Sequence, residues 1–126
     1  MQITFSNLVD EGVLAIGDGY RAKNDELGSG GPVFLRSAYL QDSGWSLAEP
    51  ERFSEPGIDR FGPKVACVGD TAITTKGNSL GRLGFVRGAV VGAVYSPHLS
   101  YWRSLRHDLI EPRWLYYWAL SSECMQ

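Results

Sequence analysis

The chain has 126 residues, 44 % apolar and 12 % aromatic, enough for one folded domain with a single core and too apolar for a disordered tail. No apolar run approaches the roughly 20 residues that cross a bilayer, and no basic segment leads into an apolar one at the start, so neither a membrane span nor a secretory signal is expected. The formal net charge of −2 is unevenly divided: residues 1–63 carry ten acids and five bases, residues 64–126 four acids and seven bases. A basic half on a mildly acidic whole can still turn a positive face to phosphate. Cys67 and Cys124 lie far apart, and no Cys/His spacing suggests zinc. The expectation is a cytoplasmic protein with reduced thiols and neither metal nor cofactor.

Fifteen glycines and six prolines favour turns and short strands. Ser6–Gly12 reads as a short helix with Ser6 as its N-cap. Val13–Ile16 reads as a strand broken by Gly17-Asp18-Gly19, and 20–31 as a long polar loop ending at Pro32. Val33–Arg36 is a second strand, and 41–63, with prolines at 50, 56 and 63, an irregular acidic connection. Lys64–Val68 reads as an apolar strand closed by Gly69-Asp70, followed by the β-branched strand Thr71–Thr75. Leu83–Val86 and Ala89–Tyr95 are further strands. Leu99, Tyr101 and Arg103 alternate with Ser100, Trp102 and Ser104, the period of a strand with two different faces. Glu111-Pro112-Arg113 opens a helix, Pro112 suiting its first turn, with an apolar face in Trp114–Leu120. The fold class expected is α+β: a strand-rich mixed domain with a few short helices and a C-terminal aromatic helix.

The inventory for catalysis is thin. His98 and His107 are the two histidines, one near a strand start and one in a polar loop, and both read as structural or surface residues. Cys67 lies in an apolar run and reads as a small buried hydrophobe. Asp25-Glu26 reads as a solvated loop pair. The stretch TTKGNSLGRLGFV, residues 74–86, superficially suggests a phosphate loop. Its Lys76 precedes Gly77 and a strand follows, whereas a P-loop needs its lysine after the last glycine, at a helix N-terminus. Gly17-Asp18-Gly19 lacks the third glycine of a dinucleotide fingerprint. An enzyme with an unrecognised site is thus the weakest reading. Lys76, Asn78, Ser79 and Arg82 can donate to phosphates or base edges. Tyr20, Arg21 and Lys23 form a second such cluster, and Arg36 and Arg103 add cationic reach. Taken singly, each fits an ordinary exposed turn or strand residue better than a DNA contact.

The order of four blocks is more specific: GDGYRAKNDELGSGGPVFLRSAYL (17–40), GDTAITTKGNSLGRLGFV (69–86), VYSPHLSYWR (94–103) and LIEPRWLYYWALSSE (109–123). Together they resemble the target recognition domain of the specificity subunit in type I restriction–modification systems. The resemblance implies a non-catalytic reader of double-stranded DNA that directs a modification methyltransferase subunit and a restriction subunit to a target. It matches Thr75, Lys76, Gly77, Gly81 and Arg82 to a DNA-facing loop, Tyr20, Arg21 and Lys23 to an earlier loop, and Tyr95, Ser96 and Pro97 to a later strand start. The family continues beyond the tyrosine-rich helix, so residues 1–126 are expected to be one such domain, incomplete at its C-terminus. An uncovered face at Trp114, Tyr117 and Trp118 would favour the alternative of a self-associating half-subunit with little DNA affinity.

Overall fold

The structure, a computed structural model, describes residues 5–75 and 81–120. In chain order its regular elements are α1 (Phe5–Asp10), β1 (Leu14–Asp18), β2 (Leu27–Leu35), β3 (Leu40–Gln41), β4 (Gly44–Trp45), β5 (Arg52–Phe53), β6 (Thr71–Thr74), β7 (Leu83–Phe85), β8 (Val94–Tyr95), β9 (Leu99–Ser104) and α2 (Pro112–Ala119). Single 3₁₀ segments cover Asn24–Glu26, Ser37–Tyr39, Asp59–Lys64 and Gly88–Val90. The domain is therefore strand-rich α+β, as the turn-dense composition predicts.

The main sheet runs β1-β9-β6-β7, antiparallel at every pairing. Strand β9 lies inside it and shows the two faces its alternation predicts. Leu99 and Tyr101 enter a core with Val33, Leu35, Ala72, Val86 and Tyr95, where the Tyr95 and Tyr101 rings stack at 5.2 Å. On the opposite face Trp102 meets Trp118 of α2, and the Ser104 hydroxyl donates to the Ile110 carbonyl at 2.6 Å. Leu115 is fully buried there beside Val13 and Leu14, a burial that stabilises by about 1.5–3 kcal/mol. Helix α2 starts as expected: Pro112 occupies its first turn, and Glu111 accepts the Trp114 N–H on its carboxylate at 3.1 Å.

A smaller sheet, β5-β2-β8, pairs β2 antiparallel with β5 and parallel with β8. Phe34, Phe53 and Phe61 form its core, with Tyr20 packed against them. Hairpin β3–β4 lies over β7, where Leu40 and Trp45 close on Gly84. A Cβ at Gly84 would come within 2.7 Å of both side chains, so glycine is what lets the hairpin dock.

Five expectations need correction, the first being the irregular connection 41–63, which holds hairpin β3–β4, strand β5 and most of a 3₁₀ segment because tertiary pairing with β2 and β7 orders it. The supposed loop 20–31 contains a 3₁₀ turn and the first half of β2, because the backbone at Leu27 and Gly28 pairs with β5 despite its glycines. The stretch Lys64–Val68 is no strand: a 3₁₀ segment runs to Lys64, and Val65 makes an isolated bridge to Val94. Ala89–Tyr95 is a 3₁₀ turn and a two-residue strand. Cys67 is exposed rather than core, since its turn carries it outward beside Val68. No described helix is long and apolar enough to cross a membrane.

Candidate nucleic-acid interface

Three of the segments singled out in the sequence converge at one end of the main sheet. Strand β1 ends there at Asp18, opposite Ser100, and β6 ends at Thr74, opposite the first residue of β9, Leu99. Backbone bonds lock the chain that follows. The Gly19 N–H donates to the Leu99 carbonyl at 3.1 Å, the Tyr20 N–H to the Tyr95 carbonyl at 2.7 Å, and the Thr75 N–H to the His98 carbonyl at 2.9 Å. The early loop, the turn 96–98 and the start of the glycine-rich loop thus share one rim. Arg36 follows β2 close by, since the Ser96 N–H donates to the Leu35 carbonyl at 3.0 Å.

The ends of the glycine-rich loop are hydrogen-bonded to each other. Thr74 and Arg82 face each other across it: the Thr74 N–H donates to the Arg82 carbonyl at 2.9 Å, and the Arg82 N–H to the Thr74 hydroxyl at 2.8 Å. Gly81, at φ +83°, takes the left-handed conformation that closes the loop, with its N–H on the Thr74 carbonyl. Lys76, Asn78 and Ser79 lie outside the described residues.

The other candidate side chains divide into outward and inward groups. Arg21 and Lys23, in the loop that leaves the rim after Tyr20, are exposed. Arg36 is half-buried over the Phe34 ring at 4.5 Å and holds Glu51 through two bonds of 3.1 and 3.2 Å. The Arg82 guanidinium reaches sideways to the hairpin, donating to the Leu40 carbonyl at 2.9 Å and pairing with Asp42 at 3.2 Å. Tyr20 points inward: its ring meets Phe61 edge-on at 4.9 Å, and its hydroxyl donates to Glu26 at 2.7 Å. That hydrogen bond, with burial, raises the Tyr20 pKa.

Arg103 also points inward, at the far end of the sheet, where it stands opposite Ala15. Its guanidinium makes two 2.8 Å bonds to Asp70, a third of 2.9 Å to the Val65 carbonyl, and lies over the Tyr101 ring. Burial alone would lower the Arg103 pKa, but the bonds and charge of Asp70 outweigh it and raise it further. Tyr95, whose hydroxyl donates to Asp70 at 2.8 Å, has its pKa raised first by burial and then by that carboxylate. The outward reach expected of Arg103 is therefore corrected: a buried carboxylate claims it.

Sequence reading missed the partners that claim these side chains. Glu26, which reads from the sequence as a solvated acid, accepts from Tyr20, from the Lys23 N–H at 2.9 Å and from Arg60 at 3.0 Å. Asp70 reads from the sequence as a turn residue, and only the tertiary contact assigns it to Arg103. His98 and His107 are both exposed. No group of three or more metal-ligating side chains occurs among the described residues.

Among solved structures, this arrangement matches the crystal structure of the HsdS subunit from Thermoanaerobacter tengcongensis, with a TM-score of 0.62 over 86 % of this chain. The chain shares the fold of part of an HsdS subunit. HsdS is a type I restriction–modification specificity subunit, the same kind of protein that the four sequence blocks resemble. Identity is 21 %, so the likeness is one of fold, and the chain spans 25 % of the HsdS chain's length. No protein-family model and no curated protein matches the sequence.

Proposed function

We propose that this chain is a DNA target recognition domain that binds duplex DNA through the loop-bearing end of its main sheet. In this reading it forms part of a cytoplasmic type I specificity subunit, has no catalytic activity, and directs a methyltransferase subunit and a restriction subunit to a target. The observation that carries the reading is the fold shared with an HsdS subunit across 86 % of the chain. The convergence of three loops at one rim, with Arg21 and Lys23 exposed in the loop that leaves it, supports it. Thr75, Lys76, Asn78 and Ser79 are proposed as the main loop's contacts, and Arg21 and Lys23 as phosphate contacts. Arg36 borders the surface. Tyr20 and Arg103, given their inward bonds, position the loops and strands and do not touch DNA. Duplex binding by the chain, measured against salt, tests the reading.

A second reading, self-association through α2, is favoured by one observation. Trp114 and Tyr117 are 52 % and 61 % exposed, and Trp114 stacks on Trp118 with ring centroids 6.2 Å apart. In that reading these rings find cover in a second copy.

A further inference from the structure

We infer that hairpin β3–β4 is a second DNA-reading element, with Gln41 and Ser43 as specificity-determining side chains and Arg82 as the brace that aims them. This rests on the DNA-binding reading above and adds a segment that no sequence motif marked. A two-residue turn, Asp42-Ser43, joins strands of two residues each, too short to hold a shape unaided. The hairpin is nevertheless anchored at three points. Leu40 is fully buried, the Trp45 indole N–H donates to the Phe85 carbonyl at 3.1 Å, and Arg82 holds both the Leu40 carbonyl and the Asp42 carboxylate. Arg82 also closes the neck of the glycine-rich loop through its backbone. One residue therefore couples the hairpin's position to that of the loop proposed to read DNA.

The tip is built for base edges rather than for packing. Gln41, Asp42 and Ser43 are all exposed, against the buried Leu40 immediately before them. Glutamine suits the donor–acceptor pair of an adenine edge, and serine accepts or donates to several bases. The Asp42 charge, which would repel phosphate, is offset by Arg82 at 3.2 Å. Behind the tip a groove of about 620 Å³ runs along edge strand β7, lined by Gln41 and Ser43 on the hairpin side and by Arg87 and Arg113 beyond them. Arg87 is exposed, and Arg113 lies over the Phe85 ring at 5.7 Å. Two cations in the same groove supply the sequence-independent phosphate contacts that a base-reading tip needs to hold its register.

The test selects bound duplexes from a randomised library with the wild-type chain, with Gln41→Ala/Ser43→Ala and with Arg87→Ala. The double variant should retain total duplex affinity within about threefold but lose base preference at one or more positions of the selected site. Arg87→Ala should keep the wild-type preference, bind more weakly to all sequences, and reduce the slope of log K against log salt by about 0.9. Arg82→Met should relax the same positions as the double variant, since the tip loses its brace. A double variant that selects the wild-type site, or an Arg87→Ala slope equal to wild type, overturns the inference and leaves the DNA reading standing. A wild-type chain that selects no duplex at low salt overturns the DNA reading itself.

Discussion

Asp70 and Arg103 face each other through two hydrogen bonds of 2.8 Å, with the carboxylate fully buried and the guanidinium side chain 15 % exposed. Asp70 also accepts from the Tyr95 hydroxyl at 2.8 Å and from the Cys67 N–H at 3.0 Å. It thereby ties the start of β6 to β8, to β9 and to the turn before it. Breaking such a pair from one side leaves a buried group without its counter-charge, which costs far more than the intact pair is worth. Asp70→Ala, which strands three donors, should destabilise the chain by about 3–5 kcal/mol in urea unfolding. Tyr95→Phe, which removes one donor from the charged carboxylate, should cost about 1.5–3 kcal/mol. Equal costs for the two would show that the charge pair is not what holds this end of the sheet.

The early loop should respond to acid. The Lys23 N–H and then the Tyr20 hydroxyl hydrogen-bond the Glu26 carboxylate, and Arg60 adds its charge, so its pKa is held below the ordinary carboxylate value. A depressed folded-state pKa contributes stability that is present above the unfolded value, about 4.3, and lost as pH falls through the folded one. Below that range the Tyr20 ring should loosen from Phe53 and Phe61, followed by NMR as a shift in the Tyr20 ring signals tracking the Glu26 carboxyl. Glu26→Gln should remove the coupling, and a wild-type titration identical to that of Glu26→Gln would contradict it.

Gly84 should tolerate no side chain. Leu40 and Trp45 occupy the space of its missing Cβ, so Gly84→Val would displace the hairpin or strain the sheet. Overpacking of this kind costs about 1–3 kcal/mol. The expected result is that loss of stability together with a shift in Trp45 fluorescence. An unshifted spectrum at wild-type stability would show that the hairpin packs elsewhere.

What the sequence made legible follows from the range of the interactions involved. The two faces of β9 and the start of α2 depend on neighbours a few residues apart, and both were readable as alternation and as Glu111-Pro112. The strand at Leu27–Gly28 was not, because its glycines give no local preference and its pairing comes from Arg52 and Phe53. The same limit applies to the candidate surface. Cations were visible as residue types, but whether a cation faces outward depends on distant carboxylates. Arg103 is claimed by Asp70, 33 positions earlier, and Arg82 by Asp42, 40 positions earlier. Arg21 and Lys23 stay exposed.

If α2 covers itself with a second copy, solution mass should rise with protein concentration, and Trp114→Glu/Tyr117→Glu should abolish the rise. Both side chains are exposed, so the double variant should fold as the wild type does. A wild-type mass that stays monomeric across the same range would end the self-association reading.

The central claim is that the loop-bearing rim binds duplex DNA, and its most direct test is equilibrium binding of the full chain to duplex DNA across a salt series. Log K should fall linearly with log salt at about 0.9 per phosphate contacted. Replacing Lys76 or Lys23 with Ala should lower that slope by about 0.9 in each variant. A chain that binds no duplex at low salt, or whose slope is unchanged in both variants, would contradict the account.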